Sequence, residues 1–264
     1  MLRHDRAAGR HRREWSPGRP ARPAPVIAAV LATSVAASCG TSGFPDPATE
    51  QGSQTLDLWN LFTLLALLIG GLVYVLVAII VIRYRRRGSD ELPSQQQYSS
   101  RIEIFYTVLP LVIVVIMFAM TWRTSDDITA VSDDPAVVID VIGFQWQWQF
   151  NYPEHDIRVM SDPAAFPEGR PKMVIPAGET VRLRLVSNDV IHSFWVPDFL
   201  EKRDLIPGID NEIDVEADEV GTWEGRCAEF CGLEHWKMYF EVEAVPPDEF
   251  EQWVAGHEGE EVRP

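Results

Sequence analysis

LDLWNLFTLLALLIGGLVYVLVAIIVIRYRRR, residues 56–87, carries one acid, Asp57, and then no charge until the arginines that close it. A helix needs about 20 apolar residues to cross the hydrocarbon core of a bilayer, and Leu56–Ile82 supplies them. A second such run extends from Ile104 to Trp122. Pro110 inside it is tolerated in a membrane helix, where neighbouring groups satisfy the freed carbonyl. Between the runs, residues 83–101 hold five Arg against two acids, so the positive-inside rule places this loop in the cytoplasm. The reading is a hairpin of transmembrane helices at 56–82 and 102–122, with both ends of the mature chain outside. Glu103 stands at the cytoplasmic start of the second span. An acid at membrane depth is a functional candidate, and near a helix start it equally favours the helix dipole.

Upstream, residues 1–22 hold seven Arg against Asp5 and Glu14, and the apolar run Val26–Ala37 follows. That is the layout of a signal segment, expected over 1–39, with a short external segment at 40–55. Val35-Ala-Ala-Ser-Cys39 has the outline of a bacterial lipobox, in which Cys39 is lipidated and becomes the mature N-terminus. Ala36 and Ser38 stand where a lipobox usually has Leu and a smaller residue, and an ordinary cleaved signal is the alternative.

Beyond the second span the composition changes. From Arg123 onward 31 acids face 11 bases, a surplus of 20. A surface of that sign repels nucleic acid and steers a basic partner toward it. Residues 123–135 read as a polar linker. Val137–Ile142, Thr180–Val186 and Glu212–Val215 are β-branched or alternating, and Pro176-Ala-Gly178 and Pro207-Gly208 mark turns. Short strands at this spacing predict an antiparallel sandwich or barrel over 136–245. Pro246-Pro-Asp-Glu-Phe250 opens a short terminal helix, followed by an acidic tail to residue 264. Read as one strand, Gly143-Phe-Gln-Trp-Gln-Trp148 and its continuation put Phe144, Trp146, Trp148, Phe150 and Tyr152 on one face. Such a row exceeds what one small sheet covers, so a bulge or an exposed part is expected.

Cys227-Ala-Glu229-Phe-Cys231-Gly-Leu-Glu-His235-Trp-Lys-Met238 places two thiols, an imidazole and a thioether within twelve residues. His192, in Val190-Ile-His-Ser-Phe-Trp-Val-Pro197, adds a second imidazole. A Cys227–Cys231 disulfide suits an oxidising compartment but leaves both histidines and Met238 unexplained. A Cys2His2 zinc site has little use for Met238. A blue copper site takes one Cys, two His and a weak axial Met, and the additional Cys227 lets two thiolates bridge a pair of coppers. Ligand chemistry favours copper and leaves zinc and the disulfide open.

Cys-x-Glu-x-Cys-x3-His-x2-Met with His-Ser-Phe-Trp-Val-Pro upstream resembles the copper A motif of cytochrome c oxidase subunit II. The two spans, the segment around Glu103 and the aromatic stretch at 143–148 extend the resemblance over most of the chain after Thr55. It implies two transmembrane helices followed by an external cupredoxin-like Greek-key β-sandwich with a short C-terminal helix, in a bacterial plasma membrane. It further implies that Cys227 and Cys231 bridge two copper ions and that His192 and His235 each ligate one. Met238 then completes one site and the Glu229 backbone carbonyl the other, while the Glu229 carboxylate reaches a magnesium ion shared with subunit I. Trp146 becomes the point where an electron arrives from cytochrome c, or from a cytochrome c domain of a donor complex. Glu103 becomes the acid at the entrance of a proton path into subunit I. The implied activity is that of a proton-translocating oxidoreductase with subunits I and III as partners, the oxygen chemistry residing in subunit I. Tyr106 and Gln147 depart from the family, which usually has Trp and Tyr there. A quinol-oxidase relative of the same fold lacks the copper ligands, and a copper-delivery protein calls for more Met than Met238 alone.

Overall fold

The computed structural model describes residues 43–85 and 95–264. The expected signal segment, Cys39 and the middle of the expected cytoplasmic loop lie outside the described residues. Helix α1 runs over Glu50–Arg83 and α2 over Ser100–Thr129. The Thr49 hydroxyl caps α1 by accepting from the Gly52 amide at 3.0 Å. Glu50 in its first turn and Arg83 in its last oppose the helix dipole at both ends. At about 1.5 Å per residue α1 is about 51 Å long, well beyond a hydrocarbon core of about 30 Å, so helix stands clear of the bilayer. Neither helix hides its apolar side chains: Gly52 is the one buried residue of α1, and α2 has none. Apolar cylinders of this length need lipid or partner subunits around them. Glu103 accepts a hydrogen bond from the Ser99 amide at 3.1 Å and so closes the start of α2.

Outside the helices, eleven strands among the described residues form two sheets. One sheet is ordered β11-β3-β2-β1-β5-β8, from β1 (Val137–Phe144), β2 (Gln147–Tyr152), β3 (Ile157–Met160), β5 (Val181–Ser187), β8 (Asn211–Val215) and β11 (Glu261–Val262). The other is ordered β4-β10-β9-β6-β7, from β4 (Lys172–Pro176), β6 (His192–Val196), β7 (Glu201–Leu205), β9 (Gly221–Cys227) and β10 (Tyr239–Val245). The expected sandwich is present, but the sheets are mixed rather than antiparallel. β1 pairs parallel with β5, β4 with β10 and β3 with β11, as crossing connections between two sheets require. The tail contributes an edge strand, β11, where only an acidic appendage was expected.

Gly143–Trp148 is not one strand. β1 ends at Phe144, Gln145 and Trp146 turn the chain, and Phe144 pairs with Gln147 across the resulting hairpin. The turn breaks the predicted row of rings. Trp148, Phe150 and Tyr152 point inward and are fully buried, whereas Phe144 lies on the other face of β1 and Trp146 sits half-buried at the turn. In the core Trp148 meets Phe240 edge-on at 5.1 Å, and Phe194 stacks on Phe240 at 4.8 Å. The Tyr152 hydroxyl accepts from the Val174 amide and donates to its carbonyl, each at 2.8 Å, which ties β2 to β4. Helix α3 (Pro247–His257) begins with Pro at its first position, buries Phe250 and lays Trp253 against Tyr152 at 5.1 Å.

The domain is fastened to both membrane helices. Ahead of α1, the Ala48 amide donates to the Asp198 carbonyl at 2.8 Å and the Ala48 carbonyl accepts from the Asp218 amide at 3.1 Å. A Cβ on Gly52 would lie 2.7 Å from the Phe199 carbonyl oxygen, so only glycine lets α1 approach this closely. After α2, Ser132 enters a clasp between β5 and β8. Arg182 donates to both Asp214 oxygens at 2.5 and 3.0 Å and to the Ser132 carbonyl at 2.5 Å. Asp214 in turn accepts from the Ser132 amide at 2.6 Å. Removing one partner of a buried pair leaves the other charge desolvated. Arg182→Ala strands the Asp214 carboxylate, whose side chain is 4% exposed, and should destabilise the fold by about 3–5 kcal/mol. Chemical denaturation of the full chain in detergent measures this, and an unchanged midpoint would rule the clasp out as a stabilising contact.

Candidate metal centre

Two loops at one end of the sandwich converge. His192 is the first residue of β6, Cys227 the last of β9, and pairing of Phe194 with Cys227 brings these ends together. Cys231, His235 and Met238 follow on the β9–β10 connection, where His235–Lys237 forms a 3-10 turn. Met238 is pinned through its carbonyl, which accepts from the Cys227 amide at 2.9 Å and from the buried Trp148 indole at 3.2 Å. The core thus fixes the ligand loop.

Cys227 Sγ lies 3.9 Å from Cys231 Sγ, 3.9 Å from His192 Nδ1 and 3.2 Å from the Glu229 carbonyl oxygen. Cys231 Sγ lies 3.5 Å from His235 Nδ1 and 3.4 Å from Met238 Sδ. Both cysteines are free, and their separation is far from the S–S bond of about 2.05 Å, so the disulfide reading is not what the structure holds. Ligands bonded to a tetrahedral ion at about 2.0–2.3 Å sit about 3.5 Å from one another, which is the spacing here. His192, Cys227, Cys231 and Met238 are buried, His235 is half-buried, and the Glu229 side chain is exposed while its carbonyl faces the sulfur.

Burial works against charge on these sulfurs. Burial pushes the Cys231 thiol up to about 12, aided by the charge of Cys227 beside it. For Cys227 burial acts in the same direction, but hydrogen bonds from His192 and contacts with the Ser193 and Glu229 backbone outweigh it and hold the thiol below its usual range. Two adjacent thiolates in this pocket need cations to neutralise them. The donor set of two thiolates, two imidazoles, a thioether and a carbonyl is soft, and suits copper.

Three residues that the sequence reading passed over hold this arrangement. Asp189 Oδ1 lies 2.8 Å from His192 Nε2 and accepts from the Val190 amide at 2.6 Å, and its Oδ2 accepts from the Gln145 amide at 2.7 Å. It thereby orients the imidazole whose other nitrogen faces Cys227 and ties it to the β1–β2 turn. Gln145 Nε2 and Trp146 Nε1 both donate to the Cys231 carbonyl, at 2.7 and 3.2 Å. Gly232 has φ +124°, and a Cβ there would sit 3.1 Å from both of those nitrogens. An acid three residues before a candidate histidine was the one available signal, since metal-bound imidazoles so often donate to a carboxylate. Trp146 is therefore joined to the cluster, whereas Glu103 lies apart from it at the start of α2. Cys39 is outside the described residues.

The chain matches the family described as cytochrome c oxidase subunit II, periplasmic domain, over residues 137–245, and the transmembrane domain of the same subunit over residues 37–122. It is 37% identical over 245 residues to a probable cytochrome c oxidase subunit 2 of Streptomyces avermitilis, covering 80% of this chain and 77% of that protein. It is 35% identical over 226 residues to cytochrome c oxidase subunit 2 of Alkalihalophilus pseudofirmus, covering 83% of this chain and 63% of the other. Among solved structures, the periplasmic domain of cytochrome oxidase subunit II from Bradyrhizobium japonicum is 30% identical, with a TM-score of 0.44, covering 48% of this chain and 96% of that domain. On the family matches over its membrane and external parts and its identity to the Streptomyces avermitilis protein, the chain belongs to the cytochrome c oxidase subunit II family.

Proposed function

We propose that His192, Cys227, Cys231, His235, Met238 and the Glu229 carbonyl hold two copper ions, and that this pair is where the chain receives its electrons. As a subunit II the chain is the electron-accepting member of a haem–copper oxidase: it takes up electrons and passes them to haem in subunit I, where oxygen is reduced. The observation that carries the two-copper reading is the pair of free sulfurs 3.9 Å apart, each with its own imidazole at 3.5–3.9 Å. Held by Cys227 and Cys231 together, two copper ions would supply a place to store one electron with little rearrangement of the donors around them.

The remaining work falls to the chain. Cys227 and Cys231 would be the thiolates shared by the two ions, His192 and His235 would hold one copper each, and Met238 and the Glu229 carbonyl would complete the donor set. The exposed Glu229 carboxylate is free to meet magnesium at the boundary with subunit I. Trp146, bonded through its indole N–H to the Cys231 carbonyl, is the electron's point of arrival from cytochrome c, and the acidic face of the domain attracts that basic donor. Glu103 opens a proton path on the cytoplasmic side. Subunit III completes the assembly, and both mature termini lie outside a bacterial plasma membrane, with Cys39 lipidated.

Copper analysis and electron spin resonance of the full chain in detergent test this directly. Two coppers sharing one unpaired electron are expected; one copper with a mononuclear spectrum, or bound zinc, would overturn the reading. Cys227→Ser leaves a single bridging sulfur and should turn the shared spectrum into a mononuclear one. Asp189→Ala frees the His192 imidazole and should weaken copper binding about 10–100-fold, measured by competition with a chelator. Reduction by cytochrome c should slow as salt rises, and a rate indifferent to ionic strength would remove the acidic-face argument.

A further inference from the structure

Between the two membrane helices lies a groove of about 250 Å³ whose lining is wholly apolar. Leu61, Leu65 and Leu68 face it from α1, and Ile113, Met117 and Met120 from α2. Spacings of three and four residues keep each set on one side of its helix. The helices run antiparallel, so Leu61 and Met120 close the end nearer the sandwich. Leu61 to Leu68 covers about 10 Å of helix, which fits within the roughly 15 Å of hydrocarbon in one leaflet. Aromatic rings mark the depth of that end. Trp59 stands two residues above Leu61 and Trp122 two beyond Met120, at matching levels of the hairpin. Both are exposed; Phe44 meets Trp59 edge-on at 5.1 Å, and Phe118 lies 6.2 Å from Trp122. Exposed indoles at the ends of apolar spans sit at headgroup level, so the groove begins just beneath the headgroups.

Size and charge choose the occupant. A transmembrane helix is about 10–12 Å across and would need roughly 800 Å³ over the same length, about three times the groove. A single acyl chain is slim enough to enter. Above the groove, Asp57 lies one turn from Leu61 on the same side of α1, and Arg123 lies one turn from Met120 on the same side of α2. Both are exposed, and among the described residues neither has an ion-pair partner. Asp126 and Asp127 stand a further turn away from the bilayer. An anion beside Arg123 and a cation beside Asp57 match the two charges, and a zwitterionic headgroup carries both on one molecule.

We propose that the sandwich end of the hairpin is a binding site for one phospholipid of the ethanolamine type. An acyl chain lies in the groove between α1 and α2 and fills the space the helices leave between them. The phosphate accepts hydrogen bonds from the Arg123 guanidinium, and the ammonium donates to the Asp57 carboxylate. The inference rests on the two membrane spans and is independent of the metal assignment.

The test uses the full chain, purified in detergent and stripped of lipid, with phosphatidylethanolamine or phosphatidylglycerol added back and bound lipid counted by native mass spectrometry. The parent should hold one phosphatidylethanolamine. Leu65→Trp fills the groove and should abolish binding of both lipids. Arg123→Gln should weaken both about tenfold, the effect of losing one charge-assisted hydrogen bond. Asp57→Asn should weaken phosphatidylethanolamine by a similar factor and leave phosphatidylglycerol, which has no ammonium, unchanged. These two substitutions are at exposed positions, so they test the site even if Leu65→Trp fails to fold. A parent that retains no lipid would overturn the proposal, as would equal retention by the parent and all three variants, which is the mark of non-specific coating. In the purified oxidase the Leu65→Trp form should carry one lipid fewer than the parent; equal lipid content there means that protein occupies the groove, and the proposal falls.

Discussion

Burying two sulfur donors side by side sets the terms for the rest of this molecule. In a dry pocket, one thiol that ionises raises the cost of ionising its neighbour, which is the state of Cys227 and Cys231 without a cation between them. Metal ions reverse that balance, but only if the donors wait at the right spacing. The fold supplies the spacing from the backbone: Met238 is held by Cys227 and Trp148, Cys231 by Gln145 and Trp146, and His192 by Asp189. Each of these contacts ends on a donor side chain or its peptide, so the fold itself sets where the donors stand.

The same bonds explain why the aromatic core and the metal centre cannot be separated. Trp148 packs edge-on against Phe240 and donates to the peptide of a ligand, so one side chain belongs to both. A cupredoxin-like sandwich suits this task because its strand ends deliver residues distant in sequence to one spot. His192 and Cys227 meet across neighbouring strands, while the β9–β10 connection supplies the others from a single short loop.

How much of this was legible in the sequence depended on how local each feature is. The membrane helices were, because uninterrupted apolar length leaves little alternative, and so was the gathering of His192, Cys227, Cys231, His235 and Met238, because most of them lie within one short segment. At 143–148 a break in the aromatic row was legible but its form was not, since strict alternation looks identical whether the chain runs straight on or reverses at Gln145 and Trp146. The edge strand at Glu261–Val262 was hidden because two residues carry no pattern and their partner, β3, lies about a hundred positions earlier. Asp189 escaped notice as a turn residue, and the Ser132–Arg182–Asp214 clasp joins positions that no window along the chain compares.

That clasp, with the fastening of Ala48 and Gly52 to the Pro197–Phe199 turn, has a bearing on electron flow. Electron tunnelling falls off exponentially with the gap it must cross, so a domain swinging on a loose tether would offer its haem partner a different rate at every moment. Here the two membrane helices are bonded into the sandwich at separate points, Ser132 at Arg182 and Asp214 and Ala48 at Asp198 and Asp218. Together they act as a length standard, holding the sulfurs at a set distance from the outer ends of the two helices.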